Sequence, residues 1–270
     1  MNPIARFVVE IRALSRVAPP RFTIRYLVKL LTHLRAFIHA RSFVAIDSRM
    51  GSALVSFRAF DTDIILPANK VGGVRELYGR AVYFRGGQPP FKKGSRILDL
   101  GANAGLFSLL AAKLGCEVLA VEAQAGFVDE IKKNAESNHL STVRTEWALV
   151  GGETGVFSDA ERRSGATHMH GKVPPRRMLS EILKDHSLQK IDFMKIDIEG
   201  SEFALFASPD VDAWLPHVRQ IAMEIHSLLG DGASLISLLR SAGFSVGTTD
   251  SRLRRVDGVP KPDGYLFAIR

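Results

Sequence analysis

Residues 96–108 read Arg96-Ile-Leu-Asp-Leu-Gly-Ala-Asn-Ala-Gly-Leu-Phe-Ser108, and this stretch decides the fold. The apolar run that ends at Leu100 predicts a buried strand, and the apolar residues after Gly105 predict a helix. Between them, Gly101 and Gly105 allow the backbone to turn sharply and a ligand to approach it closely. The helix N-terminus should add partial positive charge and free N–H groups. We therefore predict a ligand-binding turn at residues 101–105.

An acid follows the turn at the spacing expected for a nucleoside site. Glu122 lies twenty-one residues after Gly101, at the end of the next predicted strand, where a carboxylate can accept both ribose hydroxyl hydrogens. A dinucleotide fold would favour three glycines around a pyrophosphate, whereas this turn has only Gly101 and Gly105. Asp99 should repel a pyrophosphate but suits the ammonium of a methionine moiety. The sequence therefore favours S-adenosylmethionine over a dinucleotide.

Apolar strands and helical patterns alternate from residue 96 to the C-terminus, which predicts an α/β fold. We expect a mostly parallel seven-stranded sheet with helices on both faces. The predicted strands cover 96–100, 117–121, 143–150, 193–197, 220–225, 244–248 and 265–269. The predicted helices cover 105–114, 127–139, 178–184, 202–207 and 233–242.

Two segments precede this core, so the expected organisation is an arm at 1–42, an extension or cap at 43–90 and the core at 91–270. The arm should form two helices broken at Pro19-Pro20. Strand-like alternation marks 43–46, 53–57 and 64–66 in the extension, and 73–86 resembles a helix that runs into a loop.

Positive charge is concentrated in the arm. Residues 1–42 hold eight of the 36 Lys and Arg residues and one of the 28 acids, so the remainder of the chain is nearly neutral. In its second helix, apolar residues recur at helical spacing: Phe22, Tyr26, Leu27, Leu30, Leu31, Leu34, Phe37 and Ile38. Such a basic amphipathic helix fits a peripheral contact with an anionic membrane, and the alternative is a lid packed on the core.

Two further motifs bring polar side chains to the carboxyl ends of strands, where α/β sheets bind ligands. The segment Phe193-Met-Lys-Ile-Asp-Ile-Glu-Gly-Ser-Glu202 delivers Asp197 and Glu199, and Ile221-Ala-Met-Glu-Ile-His226 delivers Glu224 and His226. His226 is a candidate general base because of its ordinary pKa range, and Asp197 is the alternative. Asp197, Glu199 and Glu224 are also oxygen donors of the kind Mg²⁺ prefers, but we do not favour a metal.

These motifs, in this order, resemble the FkbM-type methyltransferase family over about residues 73–245. The resemblance implies a Rossmann-like class I methyltransferase fold and transfer of a methyl group from S-adenosyl-L-methionine to a hydroxyl of a sugar, glycolipid or secondary metabolite. It implies an acceptor site of Asp197, Glu199 and His226. The cofactor-binding residues expected from it and from the adjoining loops are Asp99, Gly101, Ala102, Asn103, Gly105, Glu122, Ala123 and Ala148.

Several alternatives stay open at this point. A methyltransferase acting on the exocyclic amines of nucleic acid should carry prolines and an aromatic residue after the fourth strand, where this chain reads Asp197-Ile-Glu-Gly200. The nearly neutral core also disfavours nucleic acid as a partner. An amine acceptor and a non-catalytic, membrane-associated S-adenosylmethionine-binding protein remain alternatives, and the oligomeric state is open. The loop Ser164-Gly-Ala-Thr-His-Met-His170 is a weaker candidate for substrate contact.

The expected location is the cytoplasm, with the arm available to contact the inner face of the membrane. No stretch is apolar enough for a transmembrane helix, and Arg6, Glu10, Arg12 and Arg16 interrupt any signal-peptide core. The single Cys116 fits a reducing compartment.

Overall fold

The computed structural model describes residues 3–35, 42–152 and 172–270. The chain divides into two compact units. One unit comprises Met1–Pro89 with Glu136–His139, and the other comprises Pro90–Ala135 and Leu140–Arg270. The helices of the predicted arm and the elements of the predicted extension belong to the same unit.

The N-terminal unit joins helices to a β-hairpin. Helices α1 (Pro3–Val17) and α2 (Pro20–Thr32) confirm the predicted pair broken at Pro19-Pro20. They are followed by α3 (Val44–Asp47), β1 (Leu54–Ala59), β2 (Thr62–Pro67), α4 (Val71–Gly73) and a π-helical segment (Val74–Gly79), with 3₁₀ turns at Ser48–Met50 and Ala68–Lys70. Fully buried side chains from these elements include Leu14, Tyr26, Ile46, Phe57 and Ile64.

The strand expected at 43–46 is wrong, because this segment forms α3. Its buried residues are Phe43, Ile46, Asp47 and Met50, which recur at spacings of three and four. That period places side chains on one face of a helix and not of a strand. Val44, which a strand pattern would count among the apolar positions, is 70% exposed.

A buried ionic cluster ties α1, α2, α3 and the π-helical segment together. Arg75 donates to both carboxylate oxygens of Asp47, at 2.8 and 3.0 Å, and to Glu10 Oε2 at 2.9 Å. The Tyr26 hydroxyl donates to Asp47 Oδ1 at 2.7 Å. Burial lowers the pKa of Arg75, but its carboxylate partners outweigh burial and the pKa is raised overall. The arginine therefore stays charged in the interior of the unit.

The second unit contains an eight-stranded sheet in the order β5-β4-β3-β6-β7-β10-β8-β9. The strands β3, β4, β5, β6 and β7 pair in parallel, and β10 is antiparallel to both β7 and β8. The bounds are β3 (Arg96–Leu100), β4 (Glu117–Glu122), β5 (Val143–Trp147), β6 (Phe193–Ile196), β7 (Gln220–His226), β8 (Ser245–Asp250), β9 (Arg255–Val256) and β10 (Asp263–Ile269).

Helices cover both faces of this sheet, as predicted. Along β4, Leu119 and Val121 belong to one apolar cluster, whereas Ala120 packs with Ile131 in another. Adjacent residues of a strand point to opposite faces, so the two clusters lie on opposite sides. The helices are α5 (Leu106–Lys113), α6 (Ala125–Ser137), α7 (Leu179–Asp185), α8 (Glu202–Phe206), α9 (Val211–Trp214) and α10 (Gly232–Ser241), with a 3₁₀ turn at Leu215–His217.

The sheet order, with β10 inserted antiparallel between β7 and β8, confirms the predicted Rossmann-like class I fold. The structure differs from the predicted elements in three local details. The third strand ends at Trp147 and not at residue 150, β9 adds an eighth short strand, and α9 was not predicted. In the described part of the chain, no helix is both long and apolar enough to span a membrane.

The ionic cluster generates a prediction for stability. Replacing Asp47 with Ala should lower the free energy of unfolding by about 3–5 kcal/mol, because Arg75 would lose its bidentate partner while buried. The matched variant Asp63→Ala removes a carboxylate 3.5 Å from Arg58 in an exposed pair and should cost less than about 1 kcal/mol. Urea unfolding followed by circular dichroism measures both, and equal losses would contradict the structural role of the cluster.

Candidate functional site

An open cavity of about 620 Å³ lies at the carboxyl ends of β3, β4, β5 and β6. Four loops line it, and the residues are Gly101, Asn103, 121–124, Phe127, 148–150 and 197–199. The predicted turn, the predicted acid at the end of β4 and the loop after β6 therefore meet at one cavity.

The backbone N–H groups of the turn after β3 all donate hydrogen bonds within the protein. The N–H groups of Gly101 and Ala102 donate to Val121 O, at 3.0 and 3.2 Å, and that of Gly105 donates to Ala102 O at 2.8 Å. The other two donate to side chains, Asn103 N to Glu122 Oε2 and Ala104 N to Asn103 Oδ1. The N–H groups of residues 101–105 are therefore all used within the protein.

Glycine is required at position 101 by the neighbouring strand. Gly101 has φ +73°, and a Cβ there would overlap the carbonyl oxygen of Asp197. The close approach at this position is thus between two strand ends of the protein. Asn103, also left-handed at φ 50°, is exposed on the cavity wall.

Glu122 joins the turn to the loop after β4. Its Oε2 accepts from Asn103 N and its Oε1 accepts from Gln124 N, both at 2.8 Å. Burial raises the pKa of Glu122, although these two hydrogen bonds oppose the rise. Each carboxylate oxygen uses one position for the backbone and keeps further acceptor capacity toward the cavity.

Asp99 lies beneath the cavity and not on its wall. Its side chain is fully buried, Ser108 Oγ donates to its Oδ2 at 2.7 Å, and Lys195 Nζ lies 3.2 Å from its Oδ1. Direct contact with a cofactor, as the sequence suggested, is therefore not what this geometry provides.

Lys195 is a site residue that the sequence analysis missed. Its ammonium donates to Gly101 O at 2.7 Å and lies 3.7 Å from Asp197 Oδ2. Burial lowers the pKa of Lys195, but Asp99 and Asp197 outweigh burial and the pKa is raised overall. The sequence did indicate that Lys195 lies near Asp197, because residues two apart in the fourth predicted core strand project from the same face.

The loop after β6 presents two carboxylates to the cavity, Asp197 and Glu199. Glu199 has a left-handed backbone at φ 53°, and Gly200 follows at φ 95°. A Cβ on Gly200 would overlap the Leu229 side chain. Two successive left-handed residues turn the chain sharply, which directs Glu199 into the cavity wall before α8 begins.

His226 lies behind Glu199 and is held between two carboxylates. Its Nδ1 lies 3.0 Å from Glu202 Oε1, and its Nε2 lies 3.4 Å from Glu199 Oε2. Glu202 is completely buried and also accepts from the N–H groups of Gly200 and His226. Burial lowers the pKa of His226, but the hydrogen bonds to Glu199 and Glu202 and the charges of Glu202 and Glu224 raise it to about 11.

The remaining predicted residues fall into two groups. Ala123 and Ala148 line the cavity, whereas Ala102 and Gly105 are buried behind the turn. Gln124, just before α6, and Phe127, in the first turn of α6, also line it and were missed, because residues of these types carry no distinctive pattern there. The Trp147 indole donates to Ala123 O at 2.8 Å and fixes this side of the wall.

Two further expectations from the sequence are substrate contact by the loop 164–170 and a Mg²⁺ site. The loop 164–170 with its histidines, together with Phe37 and Ile38 of the arm, lies outside the described residues. Within 3–35, 42–152 and 172–270, no three His, Cys, Asp or Glu side chains cluster as a metal site would require. Mg²⁺ therefore gains no support from Asp197, Glu199 and Glu224.

A family model described as the Methyltransferase FkbM domain matches residues 99–246, more than half of the chain. The matched segment begins at Asp99 and includes every cavity-lining residue named above.

Individual relatives agree with this match. The chain is 26% identical over 212 residues to 31-O-demethyl-FK506 methyltransferase FkbM of Streptomyces tacrolimicus, covering 64% of this chain and 80% of that protein. It is 22% identical over 210 residues to Methyltransferase 1 of Beauveria bassiana, covering 67% and 82%.

Among solved structures, the N-terminal domain of human METTL16 in complex with SAH is similar at a TM-score of 0.42 and 20% identity, covering 66% of this chain and 62% of that one. The family match covers all the residues that line the cavity of the second unit. The chain therefore belongs to the FkbM methyltransferase family and is an S-adenosylmethionine-dependent methyltransferase.

Proposed function

We propose that this methyltransferase acts on a hydroxyl of a sugar, a glycolipid or a secondary metabolite. The observation that carries the proposal is the pair of carboxylates, Asp197 and Glu199, on the wall of the cavity that also contains the 101–105 turn. Carboxylates accept hydrogen bonds from hydroxyls and can take up the proton that leaves during methylation. The name of the Streptomyces tacrolimicus relative also specifies an oxygen acceptor.

We infer that the cofactor is held by Gly101, Asn103, Glu122, Ala123 and Ala148. S-adenosylmethionine supplies a methyl group on a positively charged sulfur. The residues fit a cationic group better than a pyrophosphate, because the N–H groups of residues 101–105 already have acceptors and Glu122 adds negative charge. Asp99 supports this arrangement from below through Lys195.

The charge of the whole site supports the same cofactor. Among the described residues of the site, five carboxyl groups, those of Asp99, Glu122, Asp197, Glu199 and Glu202, accompany two basic groups, Lys195 and His226. An acidic site favours a cationic ligand and disfavours polyphosphates.

The two acceptor-side carboxylates have different partners, and we assign them different roles. Lys195, which is buried, lies 3.7 Å from Asp197 and holds that side chain near the strand end. Glu199 is the more exposed of the two, at 37% against 29%. We therefore propose that Glu199 accepts the hydroxyl proton and that Asp197 orients the acceptor.

His226 then has a positioning role. An imidazole whose pKa is raised to about 11 carries a proton on both nitrogens at neutral pH and has no lone pair for a substrate proton. This argues against the general-base role considered from the sequence. The imidazolium instead holds Glu199 against the fixed, buried Glu202.

The acceptor class can be tested with deuterated-methyl S-adenosylmethionine and paired compounds, each a sugar or polyketide alcohol beside its amino analogue. We expect mass spectrometry to find the labelled methyl on oxygen. Glu199→Gln should slow transfer by roughly 10²- to 10⁴-fold, because the proton acceptor is lost. Glu117→Gln, the same change at an exposed position, should leave the rate unchanged. Methylation of amines alone, or full activity of Glu199→Gln, would reject the proposal.

The protonation state of His226 gives a separate prediction. The folded-state pKa of about 11 exceeds the usual 6.5, so the charge stabilises the fold fully below about pH 6.5 and this contribution is lost as the pH rises through 11. His226→Gln should therefore reduce the free energy of unfolding more at pH 6 than at pH 10. His217→Gln removes an exposed imidazole as the matched control.

NMR of ¹³C-histidine-labelled protein tests the same point directly. The His226 ring should keep imidazolium shifts up to at least pH 9, with its signal assigned by its absence in His226→Gln. A titration midpoint near 6.5 would restore the histidine as a candidate base.

A further inference from the structure

Helix α2 carries two apolar faces. Phe22, Tyr26 and Leu30 are buried and pack into the N-terminal unit. Ile24, Val28 and Leu31 recur at the same helical spacing on the opposite side, where they are 62%, 52% and 69% exposed. The buried face satisfies the packing of the helix, so the second face has no role in holding this unit together.

Basic side chains run along one edge of the exposed face. Arg21 and Arg25 are exposed, and Lys29 is half-buried. At 100° per residue, Arg21 projects beside Val28, with Arg25 and Lys29 following around the helix. The sequence from Pro20 to Thr32 contains no acid. Glu10, the acid closest in sequence, is directed inward to Arg75 and Arg80.

We propose that the face formed by Ile24, Val28 and Leu31, together with Arg21 and Lys29, docks on an anionic phospholipid bilayer. A helix that lies in the membrane interface needs an apolar face to enter the acyl boundary and cations to meet the headgroups. Helix α2, about 20 Å long, presents both over its whole length. The charge makes a bilayer the favoured occupant over a second copy of this chain, because the same helix in a second copy has no acid to pair with these cations.

The two components of the surface should contribute separately. Each basic side chain near an anionic surface strengthens binding by about fivefold, and this part weakens with salt. The apolar side chains add a contribution that salt does not screen. Binding should therefore need anionic lipid and fall, without vanishing, as salt is raised.

Flotation with vesicles tests the proposal on the full chain. Wild-type protein should float with phosphatidylcholine vesicles containing phosphatidylglycerol and stay behind with phosphatidylcholine alone. Val28→Gln with Leu31→Gln should reduce the partition coefficient at least tenfold, and Arg21→Gln with Lys29→Gln should reduce it at least tenfold at low salt. Arg25 is left intact because it donates to Met50 O.

A matched control uses the same two residue types on the other unit. Val173 and Leu228 are 80% and 79% exposed, and Val173→Gln with Leu228→Gln should leave flotation unchanged. Circular dichroism and S-adenosylmethionine affinity, both expected to equal the wild type, establish that each variant is folded.

Three outcomes would overturn the proposal. These are no flotation of the wild type, equal loss in the control pair, and unchanged flotation of both α2 variants. Sedimentation velocity separates the competing occupant: a wild-type dimer that Val28→Gln with Leu31→Gln converts to a monomer, with no lipid binding, would assign the face to a second copy.

Discussion

The site depends on one buried ammonium group. Lys195 Nζ contacts Asp99, Asp197 and the carbonyl of Gly101, and so joins the ends of β3 and β6. A buried cation without partners would be very costly, and these three groups compensate that cost. Because the two strand ends are held together, the Asp197 carbonyl occupies the space where a side chain at position 101 would lie. The glycine at position 101 and the place of Asp197 thus both follow from the close pairing of these two strand ends.

The site consists of buried residues that position other side chains and of residues that face the ligand cavity. Asp99 and Glu202 are buried and fix Lys195 and His226, and these in turn hold Asp197 and Glu199 at the cavity. Buried groups with fixed partners position the exposed ones, which is the arrangement that catalysis by orientation requires. With its backbone donors already used, the turn contributes shape and not positive charge. The acidic balance of the cavity then suits a cationic cofactor.

Local patterns in the sequence were enough to predict the fold, because strands and helices alternate with clear periods from residue 96 onward. They also predicted that Glu122, Asp197 and Glu199 share one edge, since parallel strands end together. They could not predict pairings that depend on register, such as Lys195 opposite Asp99. Nor could they show that Glu202, inside α8, would reach His226 and keep it protonated. The pattern of apolar residues also led to a wrong strand prediction for residues 43–46, where the buried side chains follow a helical spacing.

The central claim is that Glu122, at the end of β4, holds S-adenosylmethionine in this cavity, and calorimetric titration of Glu122→Ala tests it most directly. Glu117→Ala is the matched control, since it removes an exposed glutamate from the other end of the same strand. We expect wild-type affinity for the control and at least tenfold weaker binding for Glu122→Ala. Equal affinity in both variants would contradict this role of Glu122, because the cofactor would then bind without the carboxylate that joins the two loops.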